Sequence, residues 1–358
     1  MFGKRSLNQP ALAEAQGAST GAAVDLGPLA NPPVAAAGAG FVFLVTAALL
    51  VSVVGDPNAG APRVRVPLVD AKGQAAATAP AAGPAAIVPI SSDLPADAAP
   101  GSLVQAPIAG LYQQTPVGPL PVIGPDGRTP AEAYARPFTD LGKPKVALVI
   151  GGLGLNARAT RQAIEQLPPD VTLSFVPYAD GLQGWIDLAR AHGHEVLLET
   201  PMEPVDYPQN DPGPYTLMAG DAPAATVKRL EWLLGRASGY FGLTNYLGGR
   251  FLASDGAVNT FTLALKLRGL AFVDDGSARG RGMGLPRASA ERIVDGDLDG
   301  GSIRTQLAAL EASAQRGGKA LGSGFAYPVT LDEVKTWTAT LPERGLQLAP
   351  ASAVMVSR

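Results

Sequence analysis

Cysteine is absent from the chain of 358 residues, and histidine occurs only as His192 and His194. Without cysteine the protein has neither a disulfide framework nor a thiolate that could act as nucleophile or metal ligand. Two histidines so close together also severely restrict metal sites built from separated imidazole groups. The formal net charge of −3 gives no basic face, so nucleic-acid binding is set aside as a function.

Charged residues are also missing between Asp25 and Asp56, and residues 34–54 form an apolar run within this interval. The run has about the 20 residues that a helix needs to cross a bilayer. A cleaved signal peptide and a buried core helix are the alternatives, but the run begins too far from Met1 and is too long for either. The sequence therefore predicts one transmembrane helix at residues 34–54.

Aromatic residues are scarce in residues 55–115, which are dominated by alanine, proline and glycine. Such a segment cannot bury enough apolar surface to offset its conformational entropy, so we expect a flexible, extended linker. Residues 116–144 add Tyr134 and Phe138, and we expect this part to lie as a strap on the surface of the following domain. The predicted organisation is a cytoplasmic tail at 1–33, the membrane helix at 34–54, the linker at 55–143 and one folded domain at 144–358.

Short apolar runs alternate with amphipathic segments from residue 144 onward, which predicts strands alternating with helices. This alternation is typical of a parallel α/β sheet, either doubly wound or closed into a barrel. Strands are predicted at 146–150, 172–176, 195–198, 240–244, 270–274, 292–294, 320–322 and 346–348, and helices at 156–166, 182–192, 222–236, 255–268, 302–316 and 331–340.

A glycine-rich turn follows the first predicted strand, in the segment KVALVIGGLGLNA. Gly152, Gly154 and Ala157 have the spacing of the dinucleotide fingerprint G-x-G-x-x-G/A, which makes an NAD-binding enzyme one alternative. That fingerprint also requires an acidic residue at the end of the second strand. Here Asp170 precedes that strand, and this disfavours the dinucleotide interpretation.

The two histidines form an H-x-H pair that has a spacing possible for metal ligands. Both precede the predicted strand EVLLE. In parallel α/β barrels the chemistry gathers at the carboxyl ends of the strands, so His192 and His194 are expected at the opposite face in a structural role.

Polar and aromatic side chains follow several predicted strands and are expected to meet at one face. For any single one, such as Asn245 or Asp274, bracing the following loop is the alternative role. The residues in these positions are Glu199, Thr200, Met202 and Glu203, then Asn245 and Tyr246, then Asp274 and Asp275, and finally Ser323 and Phe325.

An ordered set of motifs along this region resembles the divergent polysaccharide deacetylases of bacterial envelopes. The motifs are VALVIGGLG, EVLLETPMEP, NDPGPYTL, GLTNYLGGRF, FVDDG and GKALGSGFAYPVT, and the resemblance spans residues 145–354. It implies a deformed (β/α) barrel of the polysaccharide-deacetylase type, located outside the cytoplasmic membrane and serving carbohydrate metabolism.

The resemblance also implies a catalytic apparatus that this chain lacks. Active relatives use an Asp-Asp pair after the first strand, a histidine in an Asn-His-Met-Gly stretch and a Gly-His pair near the C terminus. The corresponding positions here are Gly151, Gly152, Tyr246 and Phe325. Metal-assisted deacetylation needs metal ligands, a base and an acid, which glycine and phenylalanine cannot supply. We therefore expect no bound metal, no other cofactor and no catalytic residue.

A cleft that recognises a cell-envelope glycan or an envelope protein without catalysis is the leading interpretation. Tyrosine rings are expected to stack on sugars, and carboxyl and amide groups to bind hydroxyls. The candidate ligand-binding residues are Glu199, Glu203, Tyr215, Asn245, Tyr246, Asp274 and Asp275. The expected location is the inner membrane, with a single span and the C-terminal domain in the periplasm.

Two other functions remain open from the residues alone. A carbohydrate hydrolase or deacetylase with a relocated carboxylate site would use Glu199, Glu203, Asp274 and Asp275, since two carboxylates about 5–10 Å apart can cleave glycosides without a metal. A purely structural envelope protein is the third possibility.

Overall fold

The computed structural model describes residues 101–281 and 284–356. The predicted tail, the predicted membrane helix at 34–54 and the predicted linker up to residue 100 lie outside the described residues. Within the two described ranges, no helix is both long enough and apolar enough to cross a membrane.

Strands and helices alternate as the sequence predicts, and each predicted strand and helix overlaps an observed one. The structure adds a hairpin and a short helix before the domain, and one short strand within it. In chain order the elements are β1 (Tyr112–Thr115), β2 (Gly118–Pro121), α1 (Pro130–Ala133), β3 (Lys145–Leu153), α2 (Ala157–Gln166), β4 (Thr172–Phe175), α3 (Leu182–Ala191), β5 (Val196–Met202), α4 (Pro223–Leu234), β6 (Gly242–Leu247), α5 (Asp255–Leu267), β7 (Ala271–Asp274), β8 (Arg287–Ser289), β9 (Arg292–Ile293), α6 (Gly300–Gly317), β10 (Lys319–Phe325), α7 (Pro328–Thr340) and β11 (Gln347–Ala349).

The main sheet is parallel throughout, in the order β8-β7-β6-β5-β4-β3-β10-β9, with β11 beside the first part of β3. It is a curled half-barrel. The expected barrel is incomplete, because β8 and β9 are not paired with each other among the described strands. Only Ala290 and Glu291 separate these two short edge strands. The Ala290 N–H donates to the Asp274 carbonyl and the Glu291 N–H to the Leu321 carbonyl, both at 2.7 Å, so one segment joins the two edges.

Buried side chains form two clusters on the two faces of the sheet. Alternate residues of β3 separate cleanly, as the period of two in a strand requires: Leu148 and Ile150 pack in the larger cluster, with the helices, and Ala147 and Val149 in the smaller one. Tyr134 and the turn at Ala351–Val354 contribute to the smaller cluster. Residues from outside the sheet therefore complete the packing of its inner face.

Residues 101–143, which composition assigns to the linker, form a strap that packs on the domain. The Tyr134 side chain is buried, and its hydroxyl accepts a hydrogen bond of 2.9 Å from the Ile108 N–H. Arg190 on α3 donates to the carbonyls of Val104, Tyr134 and Gly239, and its guanidinium lies 5.0 Å from the Tyr134 ring. The folded unit therefore extends upstream of the boundary expected at residue 144, at least to residue 101. The strap has few aromatic and apolar groups, but several of them are buried against one face of the sheet.

Replacement of Tyr134 by alanine tests this extension of the folded unit. The substitution removes a buried ring, its hydrogen bond to Ile108 and its contact with Arg190, so we expect the free energy of unfolding to fall by about 3–5 kcal/mol. Urea denaturation measures the change. Tyr112→Ala on the same strap is the control, because the Tyr112 side chain is 37% exposed, and we expect a loss below about 1 kcal/mol. Equal, small losses for the two variants would show that the strap does not stabilise the fold.

Candidate functional site

A cleft of about 890 Å³ lies at the carboxyl ends of β3, β4, β5, β6 and β10. The first turns of α2 and α7 and the segment at Asp211 form its remaining walls. Its position agrees with the rule for parallel α/β folds, and its volume is within the usual range for ligand sites of about 300–1,000 Å³. The aromatic side chains that line it are Tyr178, Tyr246, Phe325 and Tyr327, and the charged ones are Arg158, Glu199 and Asp211.

Glu199 lies at the floor of this cleft and is only 3% exposed. Its Oε1 atom accepts hydrogen bonds from the Gly152 N–H at 2.6 Å and from the Ser174 hydroxyl at 3.0 Å. Burial raises the pKa of this carboxyl to about 7, against the opposing effect of the two hydrogen bonds. Glu199 is therefore a carboxyl group that exchanges its proton near neutral pH.

Glycine at positions 151 and 152 makes room for this carboxyl group. A Cβ atom on Gly151 would lie 2.8 Å from Glu199 Oε1 and 2.8 Å from Ser174 Oγ, both closer than real side chains allow. Gly152 has a φ of +73°, which glycine adopts without strain. Side chains from β4 and β5 thus occupy the space into which a side chain at position 151 would project.

The groups at this end of the cleft do not fit a catalytic zinc ion. Such a site needs three protein ligands and an open position for water. Tyr246 and Phe325 offer no imidazole, and Glu199 provides one carboxyl group with one oxygen already bonded twice. In the described ranges, no three His, Cys, Asp or Glu residues come together to hold a metal.

Tyr246 and Phe325 lie side by side along the cleft, as the sequence predicts for residues at successive strand ends. Their ring centroids are 6.3 Å apart with an interplanar angle of 83°, and Tyr327 lies next to Phe325 at 6.4 Å. Burial and the nearby Glu199 raise the pKa of the Tyr246 phenol. Tyr246 therefore remains a neutral hydrogen-bond donor at physiological pH.

Glu203 faces a second pocket of about 560 Å³ beside the cleft, with Asp211 shared between the two. Its carboxylate accepts a hydrogen bond of 2.7 Å from the Ala219 N–H and forms an ion pair of 3.0 Å with Arg250. These partners occupy both oxygens, so Glu203 holds the chain after β5 against two neighbouring segments.

Asn245, Asp274 and Asp275 were predicted to bind ligand, but they brace loops outside the cleft. The Asn245 side chain donates to the Leu247 carbonyl and accepts from the Asp275 N–H. Asp274 accepts from Ser289 and from two backbone N–H groups, and the Asp275 side chain accepts from Ser277. The bracing role, open as an alternative from sequence, is the one that their contacts support.

Tyr215 is also outside the cleft. Its ring stacks on Trp232 with centroids 3.5 Å apart and an interplanar angle of 2°. Because one face of the ring is covered by Trp232 and Tyr215 does not line the cleft, it is not placed to stack on a sugar there.

The glycine fingerprint and His194 have structural explanations, whereas His192 is exposed at the end of α3. A Cβ atom on Gly154 would lie 2.5 Å from the Cβ of Ala179, so glycine permits close packing of two loops. The buried ring of His194 contacts the carbonyls of Val171 and Ile164 at 2.8 and 3.1 Å. His194 and Val171 lie just before β5 and β4, at the end of the sheet opposite the cleft, as expected.

Sequence reasoning missed four residues of the cleft: Arg158, Tyr178, Asp211 and Tyr327. Each lies in a loop or in the first turn of a helix, whereas all the predicted residues except Tyr215 were chosen because they follow a strand. The two tyrosines could have been found in the segments VPYADG and FAYP, because each follows the end of a strand by two or three residues.

Comparison with known proteins identifies relatives of this chain. The family described as divergent polysaccharide deacetylase matches residues 148–355. The crystal structure of an uncharacterised protein from Agrobacterium tumefaciens C58 is 39% identical, covers 66% of this chain and 99% of its own, and superposes with a TM-score of 0.64. An uncharacterised protein from Haemophilus influenzae is 22% identical over 56% of this chain and 72% of its own. The catalytic domain of peptidoglycan N-acetylglucosamine deacetylase from Eubacterium rectale is 12% identical over 63% of this chain and 96% of its own, with a TM-score of 0.41.

Replacing Glu199 by glutamine removes a carboxyl group whose pKa burial raises from the ordinary 4.5 to about 7. The folded state holds the proton more tightly, so the stabilisation is fully present below about pH 4.5 and is lost as the pH rises through about 7. The free energy of unfolding of the wild type, relative to Glu199→Gln, should fall by about 3 kcal/mol over this range. Urea titrations at several pH values measure it.

The same substitution at the exposed Glu165 controls for the chemical change itself. A wild-type to Glu199→Gln difference that stays constant from pH 4.5 to 8 would contradict the buried, proton-exchanging carboxyl described above.

Proposed function

Because the chain belongs to the divergent polysaccharide deacetylase family, we propose that it binds a cell-envelope glycan in the cleft and does not deacetylate it. The observation that carries this proposal is the cleft itself, which Glu199 and Tyr246 line together with further aromatic rings at the carboxyl ends of the strands. Aromatic faces pack against the apolar faces of sugar rings, while a carboxyl and a phenol bind hydroxyl groups.

The chemistry of deacetylation supports the non-catalytic part of the proposal. Hydrolysis of an acetamide requires an activated water and stabilisation of the charge that develops on the carbonyl oxygen. Glu199 can exchange a proton, but its Oε1 is bound by Gly152 and Ser174, and the family's histidine position holds the Tyr246 phenol. The carboxyl and phenol groups of the cleft suit hydrogen bonding to a sugar.

The alternative of a relocated carboxylate hydrolase receives less support from the same geometry. It requires at least two of Glu199, Glu203, Asp274 and Asp275 in one cleft. Only Glu199 of these four lines the 890 Å³ cleft, while Glu203 is paired with Arg250 and Asp274 is hydrogen-bonded to Ser289. If the glycan screen yields no ligand, an envelope protein becomes the remaining candidate for the bound partner.

Replacement of Tyr246 by alanine should weaken binding of a glycan found by array screening about tenfold, because it removes a ring and a phenol from the cleft. Isothermal titration of the purified protein measures the dissociation constant. Tyr215→Ala is the matched control, since the Tyr215 ring packs on Trp232 outside the cleft, and its effect should stay below about twofold.

The activity assay complements this binding measurement. We expect acetate release from acetylated chitooligosaccharides to equal that of a buffer blank. Acetate release that is abolished by Glu199→Gln would overturn the non-catalytic proposal, and equal effects of Tyr246→Ala and Tyr215→Ala would overturn the cleft as the binding site.

We further propose that the protein is anchored in the inner membrane by residues 34–54, with the folded domain in the periplasm. The apolar run and the family support this topology. Protease added to intact spheroplasts should degrade the C-terminal domain and leave a small protected fragment, as detected by immunoblotting with an antibody to each end. Full protection of the domain while a cytoplasmic marker is also protected would exclude this topology.

A further inference from the structure

The second carboxyl oxygen of Glu199 is available to a ligand. Both hydrogen bonds to this side chain end on Oε1, and Oε2 has no hydrogen-bond partner among residues 101–281 and 284–356. The side chain is almost fully buried and lines the cleft. Oε2 is not among the fully buried polar atoms without a partner, so it is open to the cleft. An ionised carboxylate accepts hydrogen bonds only, so a ligand group that meets the ionised Oε2 is a donor.

Of the four aromatic rings that line this cleft, three lie next to one another: Tyr246, Phe325 and Tyr327. Successive ring centroids are 6.3 and 6.4 Å apart, and the interplanar angles of 83° and 58° turn the rings toward different directions. Glu199 on β5 pairs in register with Thr244 on β6, two residues before Tyr246, so the Glu199 and Tyr246 side chains lie on the same face of neighbouring strands. Aromatic faces attract cations within about 6 Å of the ring centre. A carboxylate beside several aromatic rings is therefore suited to a cation.

The charged side chains of the cleft agree with a cationic ligand. Two carboxylates, Glu199 and Asp211, face one guanidinium, that of Arg158, which leaves one net negative charge when Glu199 is ionised. Arg158 and Asp211 are exposed, so solvent screens them more than it screens the buried Glu199. The strongest site for a cation is thus the floor of the cleft.

We propose that the cleft recognises a protonated primary amine on a sugar, as in de-N-acetylated glucosamine, between Glu199 and the rings of Tyr246, Phe325 and Tyr327. This inference rests on the proposed glycan-binding function and names the class of sugar that the site selects. The ammonium group supplies the donors that Oε2 lacks, and it favours the ionised form of the carboxyl. An acetamide is neutral and bulkier at the same position, and a hydroxyl offers a single donor without charge.

Three β-1,4-linked hexasaccharides that differ only at C2 test the proposal: the glucosamine hexamer, the N-acetylglucosamine hexamer and the glucose hexamer. Titration calorimetry of the full chain at about pH 6.5 and at about pH 7.5, on either side of the Glu199 pKa of about 7, measures each dissociation constant. We expect the glucosamine hexamer to bind at least about tenfold more tightly than the other two.

Glu199→Gln should remove this preference, so that the three sugars bind within about twofold of one another. Glu203→Gln is the matched control, because Glu203 is also buried but is paired with Arg250 outside the cleft, and the preference should persist. Tyr327→Ala is a second test that does not disturb the core, since this side chain is 45% exposed. It should reduce the preference about threefold by removing one ring.

The outcomes separate this inference from the proposed function. If none of the three hexasaccharides binds, the glycan-binding proposal fails and the amine site fails with it. If the sugars bind equally well to the wild type, or if the preference for the amine survives in Glu199→Gln, the amine site is wrong while glycan binding stands.

Discussion

The architecture of the cleft depends on burying one carboxyl group, that of Glu199, against the turn after β3. The arrangement is mutual, because Glu199 takes the space that a side chain at position 151 would need, and Gly152 donates the backbone N–H that holds Oε1. Ser174 on β4 supplies the second donor. Three neighbouring strands therefore fix one oxygen of Glu199 and turn the other toward the cleft. An acidic side chain at Gly151 would disrupt this arrangement through steric overlap and like charge.

Two buried glutamates lie at the two ends of β5, and their hydrogen bonds indicate a structural role for one and a ligand-binding role for the other. Glu195, just before β5, accepts bonds from Arg136 of the strap, from Thr172 and from Ser352 near the C terminus. All of its capacity is used to join distant segments across the amino end of the sheet. Glu199, at the carboxyl end, keeps one oxygen without a partner in the described part of the chain. Because Oε2 of Glu199 is open to the cleft, the second glutamate can gain a hydrogen bond from a ligand, and Glu195 cannot.

The strand-end rule predicted the position of the site but only part of its membership. It identified Glu199 and Tyr246 correctly as cleft residues, and it also selected Asn245 and Asp274, whose side chains bind loops instead. Some of those partners lie two to four residues away, which the local pattern allows. Others lie 15 and 30 residues away, and the local pattern does not indicate them. The rule missed Tyr178 and Tyr327 because these residues lie in loops just after β4 and β10, yet their side chains line the cleft.

The sequence by itself determined the parallel α/β fold and the chemical inventory of the site. Apolar runs spaced by amphipathic helices fix the first, because hydrophobic periodicity is a local property. The chemical inventory follows from the identities of Gly151, Gly152, Tyr246 and Phe325, because none of these residues provides a carboxylate or an imidazole, whatever the fold. Only the tertiary structure decided that the strap reaches back at least to residue 101 and buries Tyr134, and that Glu199 Oε2 is the oxygen left for a ligand. Both depend on contacts between segments far apart in the chain, where burial and hydrogen bonding are settled by packing.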